Sequence, residues 1–85
     1  MVKFVVGKIY ARRQAFGPNK GEVKDFIKVK DRNIADNMIR YEIITADRQA
    51  IVPVVEWAKI HKSNGVEYVE YDRMHRVNAD DVAGI

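Results

Sequence analysis

The residues that could do chemistry in this chain are few, and the densest group is Arg12–Lys24, RRQAFGPNKGEVK. Two adjacent arginines, a phenylalanine, a Gly-Pro-Asn-Lys-Gly turn and a further lysine lie there between two apolar runs. The Gly17–Gly21 segment has the glycine content of a phosphate loop, but it lacks the Gly-Lys-Ser/Thr ending and leads into a strand pattern. A phosphate cradle needs that ending and a helix N-terminus, so a nucleotide site is excluded. What the stretch offers is positive charge interleaved with an aromatic ring.

The remaining candidates argue against catalysis. His61 falls at helical spacing with Val54, Trp57 and Ala58, which makes it a residue of an apolar stripe, and no partners stand at metal-ligand spacing. His75 has only Asp72 nearby. Glu67 and Glu70 would point to opposite faces of a strand and cannot share acid–base work. Asp80 and Asp81 lie in a stretch with no clear period, and Ser63, the one serine, sits in a turn signal without a nucleophile motif. With no cysteine, thiolate chemistry, a disulfide framework and a cysteine–metal site are all out. We therefore expect no enzyme, no metal and no cofactor.

A binding surface remains. Arg12 and Arg13 would end the first strand, Lys20 would tip the loop, and Lys24, Lys28 and Lys30 would share one strand face with Phe26. Arg40, on the strand across, would extend the same face. Basic side chains neutralise phosphates and an interleaved aromatic stacks on a base, so the expected ligand is nucleic acid. The alternative is a protein–protein interaction module. Phe26, Met38, Ile44, Val69 and Tyr71 would then form an exposed apolar strip for a partner or for a second copy in a homodimer, and the basic residues would meet an acidic protein surface. Strand edges could also pair with a second chain.

Charge distribution agrees with a basic face. The net charge is +3, but residues 1–32 carry a balance of +6 and residues 33–85 one of −3. The 85 residues allow one core only, and 47% hydrophobic with 32% charged residues is ordinary globular composition. The opening run, MVKFVVGKIYARR, is too short and too interrupted for a signal peptide or a membrane span. Together with the missing cysteines this gives the expectation of a soluble cytoplasmic protein that does not engage membranes.

Strand periodicity dominates. Val2–Arg13 is rich in β-branched and aromatic residues, with Gly7 as a bend. Val23–Lys30 alternates Val23, Asp25, Ile27 and Val29 inward against Lys24, Phe26, Lys28 and Lys30 outward. Met38–Thr45 puts Ile39, Tyr41 and Ile43 inward, and a tight connection leads into Gln49–Val52. Pro53 then opens a predicted helix of about ten residues that stops at Ser63-Asn64-Gly65. Val66–Tyr71 is the last expected strand. Met74–Ile85 shows no clear period and is expected to be a flexible tail, with room for a helical turn at Asn78–Ala83.

Strand, long loop, three further strands, short helix and last strand over Val2–Tyr71 resemble the Src-homology-3-like small β-barrel, in the style of small bacteriophage-encoded proteins. The resemblance implies a mainly β, five-stranded barrel over residues 1–72, with residues 73–85 outside it. It also implies that the first long loop, Arg12–Glu22, walls a binding groove. Peptide-binding members carry acidic and aromatic residues there. This loop is basic, with Phe16 its one aromatic, so the implied ligand is anionic. Within the interaction alternative, a phage-encoded inhibitor or adaptor acting on a host protein fits the same resemblance. The structural alternative is an α+β fold, with one helix packed on a curved antiparallel sheet.

Overall fold

In the computed structural model, which describes residues 1–83, the alternating runs pair into one antiparallel sheet of eight strands. They are β1 (Ile9–Gln14), β2 (Val23–Asn33), β3 (Met38–Ile44), β4 (Ile51–Pro53), β5 (Ala58–Lys59), β6 (His61–Ser63), β7 (Val66–Glu70) and β8 (His75–Val82). The hydrogen-bonded order is β4-β3-β2-β1-β8-β7-β6, and β5 pairs with the start of β3. The expected mainly-β class holds. The five-stranded barrel with a helix does not: the ladder runs open from β4 to β6, and the described residues contain no helix.

Two segments depart from the sequence reading for physical reasons. The predicted helix after Pro53 is replaced by extended chain. Pro53 closes the edge strand β4, Ala58–Lys59 bonds to β3, and His61–Ser63 bonds to β7. Extended chain covers about 3.3 Å per residue against about 1.5 Å in a helix, so it can reach from β3 to β7 within these few residues. The residue this crossing buries is Ile60, at 2% exposure, whereas His61 and Trp57 of the supposed stripe stay exposed. Asn64 and Gly65, with φ of 52° and 77°, form the two-residue turn of the β6–β7 hairpin instead of a helix stop.

The second departure is the C-terminal stretch. In place of a tail or a helical turn, β8 lies between β1 and β7, inside the sheet. Tyr10 pairs with Val82 and Arg12 with Val77, so Ala11 alone stands opposite Asn78–Asp81. The alternation survives in the strand's burial, but only Val77 and Ala79 are fully buried, and Arg76, Asp80 and Asp81 around them leave too short an apolar pattern to announce a strand. Gly84 and Ile85, also part of the expected tail, lie outside the described residues.

The inward faces of β1, β2, β3, β7 and β8 contribute Tyr10, Ile27, Val29, Ile39, Tyr41, Val69, Val77 and Ala79 to one core. Each large apolar side chain buried there stabilises the fold by about 1.5–3 kcal/mol. The segment before β1 closes this core without becoming a strand. Phe4 is 3% exposed and meets Tyr10 edge to face at 5.0 Å, and the Tyr10 hydroxyl accepts the Val5 N–H at 2.8 Å. Gly7, at φ 92°, turns the chain into β1.

Candidate binding surface

Strand parity decides which of the predicted site residues reach the surface. Arg12 shares the inward phase of β1 with Tyr10, and Asp25 the inward phase of β2 with Ile27; β1–β2 pairing places them side by side. Arg12 Nε and Nη2 donate to the two Asp25 oxygens at 2.6 and 2.5 Å, with the arginine 3% exposed. Its guanidinium also lies 4.0 Å from the centre of the Tyr71 ring. Burial opposes the charge on Arg12, but the bonds to Asp25 prevail and hold its pKa above the ordinary arginine value. Arg12 thus belongs to the interior.

Three more of the predicted cations are at the surface but engaged. Arg13 bonds Asp81 at 2.5 Å and donates to the Gly21 carbonyl at 2.9 Å. Lys30 faces Glu42 at 3.5 Å, and Arg40 chelates Asp31 while lying 5.3 Å from the Trp57 ring centre. Lys20, Lys24 and Lys28 make no ion pair among the described residues.

Of these, Lys24 and Lys28 flank Phe26 on the outer face of β2. The register sets Phe26 beside Ile44, Ile44 beside Ile51, and Ala11 on the other side of Phe26. An apolar row therefore crosses β4, β3, β2 and β1, and Lys24 and Lys28 border it on β2. Arg48, which the sequence reading passed over, lies 4.9 Å from the Phe26 ring centre. It stands at φ 62° in the Thr45–Ala50 loop, where Asp47 accepts from the Thr45 hydroxyl at 2.6 Å and from the Gln49 N–H at 3.0 Å. Among the expected apolar strip residues, Phe26 and Ile44 come together. Val69 is fully buried, Met38 lies at the far end of β3, and Tyr71 covers Arg12.

The long loop also forms a cleft. A space of about 290 Å³ is lined by Arg13, Gln14, Phe16, Lys20, Arg76 and Asn78 among others. Arg76 lies 4.4 Å from the Tyr68 ring centre, and His61 stacks on the same ring at 5.4 Å. His75 is held by Asp72 at 3.0 Å and takes no part in this cleft.

A third feature was not visible in the sequence. Tyr41, Trp57 and Tyr71 line a separate cleft with Glu56 and Glu70. Burial, followed by the neighbouring Tyr71, pushes the Tyr41 hydroxyl up to about 12. Among the described residues no group of three or more histidine, cysteine or carboxylate side chains is arranged to hold a metal ion. Compared with known proteins, the chain matches no family model, no curated protein and no solved structure.

Proposed function

We propose that the chain is a non-enzymatic binding module that takes single-stranded nucleic acid on the outer face of β2 and β3. The observation that carries this reading is Phe26, flanked along β2 by Lys24 and Lys28, neither of which makes an ion pair among the described residues; Glu42, opposite Lys28, is engaged by Lys30. The lysines, four residues and so about 13 Å apart along the strand, would neutralise phosphates on the two sides of the apolar row, and Phe26 with Ile44 would receive the base between them. Arg48, on an exposed loop, would swing from the Phe26 ring to a phosphate or sandwich the base against it. Lys20 would extend the contact toward the long loop. Arg12 has no place in this site, and Arg13, Lys30 and Arg40 are secondary because each would have to leave an acidic partner.

Fluorescence anisotropy with oligo(dT) and oligo(U) at low salt tests the proposal. Three phosphate contacts through Lys24, Lys28 and Arg48 give a slope of log K against log salt of about −2 for a single strand. Lys28→Glu should lower both the affinity and the slope, and Phe26→Ala should lower affinity while leaving the slope unchanged. Failure of both oligonucleotides to bind at low salt refutes the reading. The apolar row Ile51–Ile44–Phe26–Ala11 favours one other reading, an acidic-rimmed protein partner. That reading predicts a partner recovered by wild-type protein, lost with Phe26→Ala, and no oligonucleotide affinity.

A further inference from the structure

The cleft around Trp57 has the opposite chemistry to the basic face and needs its own explanation. It measures about 350 Å³ and draws its aromatic walls from three places: Tyr41 on β3, Trp57 between β4 and β5, and Tyr71 just after β7. The Tyr41 and Tyr71 rings are tilted by 56° with centres 6.3 Å apart. Trp57 is 40% exposed and Tyr71 43%, a large aromatic area to leave in water. One face of Tyr71 is already covered by Arg12, whose side chain is itself buried, so the exposure of Tyr71 comes from its other face and its rim.

The charges lining this space are unbalanced in one direction. Arg12 and Arg40, the cations beside these rings, are neutralised by Asp25 and Asp31. Glu56 has no ion-pair partner among the described residues, and Glu70 has only a contact of 3.3 Å to Arg76. A cleft with electron-rich ring faces and a carboxylate left over attracts a cation and repels a phosphate. The molecule itself uses these rings in this way, with one guanidinium on Tyr71 and another on Trp57.

We infer that this cleft receives the ammonium group of a lysine side chain on a partner protein. The ammonium lies against Trp57 and Tyr71 and is paired with Glu56, while the lysine methylenes pack on the ring edges. The inference does not depend on nucleic-acid binding, because it uses none of the residues around Phe26.

Trp57 is the sole tryptophan of the chain and reports directly on the cleft. The experiment titrates the full chain with Nα-acetyl-lysine methylamide and follows Trp57 emission. The uncharged norleucine analogue and the anionic acetyl-glutamate methylamide serve as controls. A saturable change with the lysine probe is expected, weakened about 3- to 10-fold for the norleucine analogue or for Glu56→Gln. Glu56 is exposed and its side chain makes no hydrogen bond or ion pair among the described residues, so this variant should leave the fold intact; Tyr71→Leu, checked by circular dichroism, should weaken the same response. No saturable change with the lysine probe overturns the inference. So does an equal response to either control, or one that Glu56→Gln leaves unaltered.

Discussion

Glu67 should carry more of this protein's stability than any other single carboxylate. It is fully buried as the second residue of β7, yet all its demands are met. Arg32 donates to its two oxygens at 2.6 and 2.7 Å, and the Phe4 N–H donates to one of them at 2.9 Å. Arg32 also reaches the Phe4 carbonyl at 3.2 Å. One ion pair thus ties β2, β7 and the segment that closes the core. Glu67→Ala leaves Arg32, whose side chain is only 18% exposed, without its counter-charge, and leaves the Phe4 N–H unsatisfied. Breaking a buried pair in this way costs about 3–5 kcal/mol. A chain of this length holds about 4–13 kcal/mol in all. With a urea slope near 1 kcal/mol per molar for so small a domain, the midpoint should fall by about 3 M or the variant should not fold. Glu67→Gln keeps the shape and should lose about 1.5–3 kcal/mol, the worth of charged hydrogen bonds. Acid supplies an independent check. The Arg32 bonds, followed by burial acting against them and the Phe4 N–H, leave the Glu67 pKa below the ordinary carboxylate value. Its contribution is therefore complete above the unfolded carboxylate pKa and is lost as pH falls through the folded value. The stability gap between wild type and Glu67→Gln should narrow across that acid window. A Glu67→Ala midpoint within about 0.5 M of wild type would refute the reasoning, as would a gap that does not change with pH.

Three other outcomes follow from the same geometry. Arg12→Met should cost about 3–5 kcal/mol in urea denaturation by orphaning Asp25, and Arg12→Met with Asp25→Leu should recover most of that loss. Deleting residues 73–85 removes β8 from between β1 and β7 and should abolish cooperative unfolding; a truncated chain that still melts cooperatively would contradict the strand order. Gly65→Ala meets open space, so its cost is conformational, about 1–2 kcal/mol for a side chain at φ +77°, visible as a lower thermal midpoint.

What could be read from the chain alone was parity within a strand, and what escaped was anything set by the partner strand. Ile27 and Val29 on β2, with Ile39 and Tyr41 on β3, are inward as their alternation predicts, because the first two precede the extra residue of the β2 bulge and β3 carries none. Asp25 stood out as the one acid on an inward face. Its partner was readable in principle, since Arg12 is in phase with Tyr10, but only once β1 and β2 were known to pair in this register. Arg32 was harder. The register shift between Val29 and Asp31 turns it toward Glu67, and nothing in the pattern of β2 announces that change. β8 was hidden by composition: Val77 and Ala79 are its only fully buried residues, and the charged residues around them leave no run of alternating apolar positions to read. The helix after Pro53 failed for a different reason: a 3.6-residue stripe was present, but Ile60 lay off it, and the crossing from β3 to β7 needed extended chain. Functional legibility divides along the same line. The Phe26 face is a property of one strand and could be proposed from β2 alone. The Trp57 cleft is assembled from β3, the β4–β5 connection and the end of β7, whose separation in sequence gives no hint that they meet. A chain built from short strands with several bulges places its composite sites where periodicity is least informative, so the cleft that one strand could not reveal is the better test of what this fold is for.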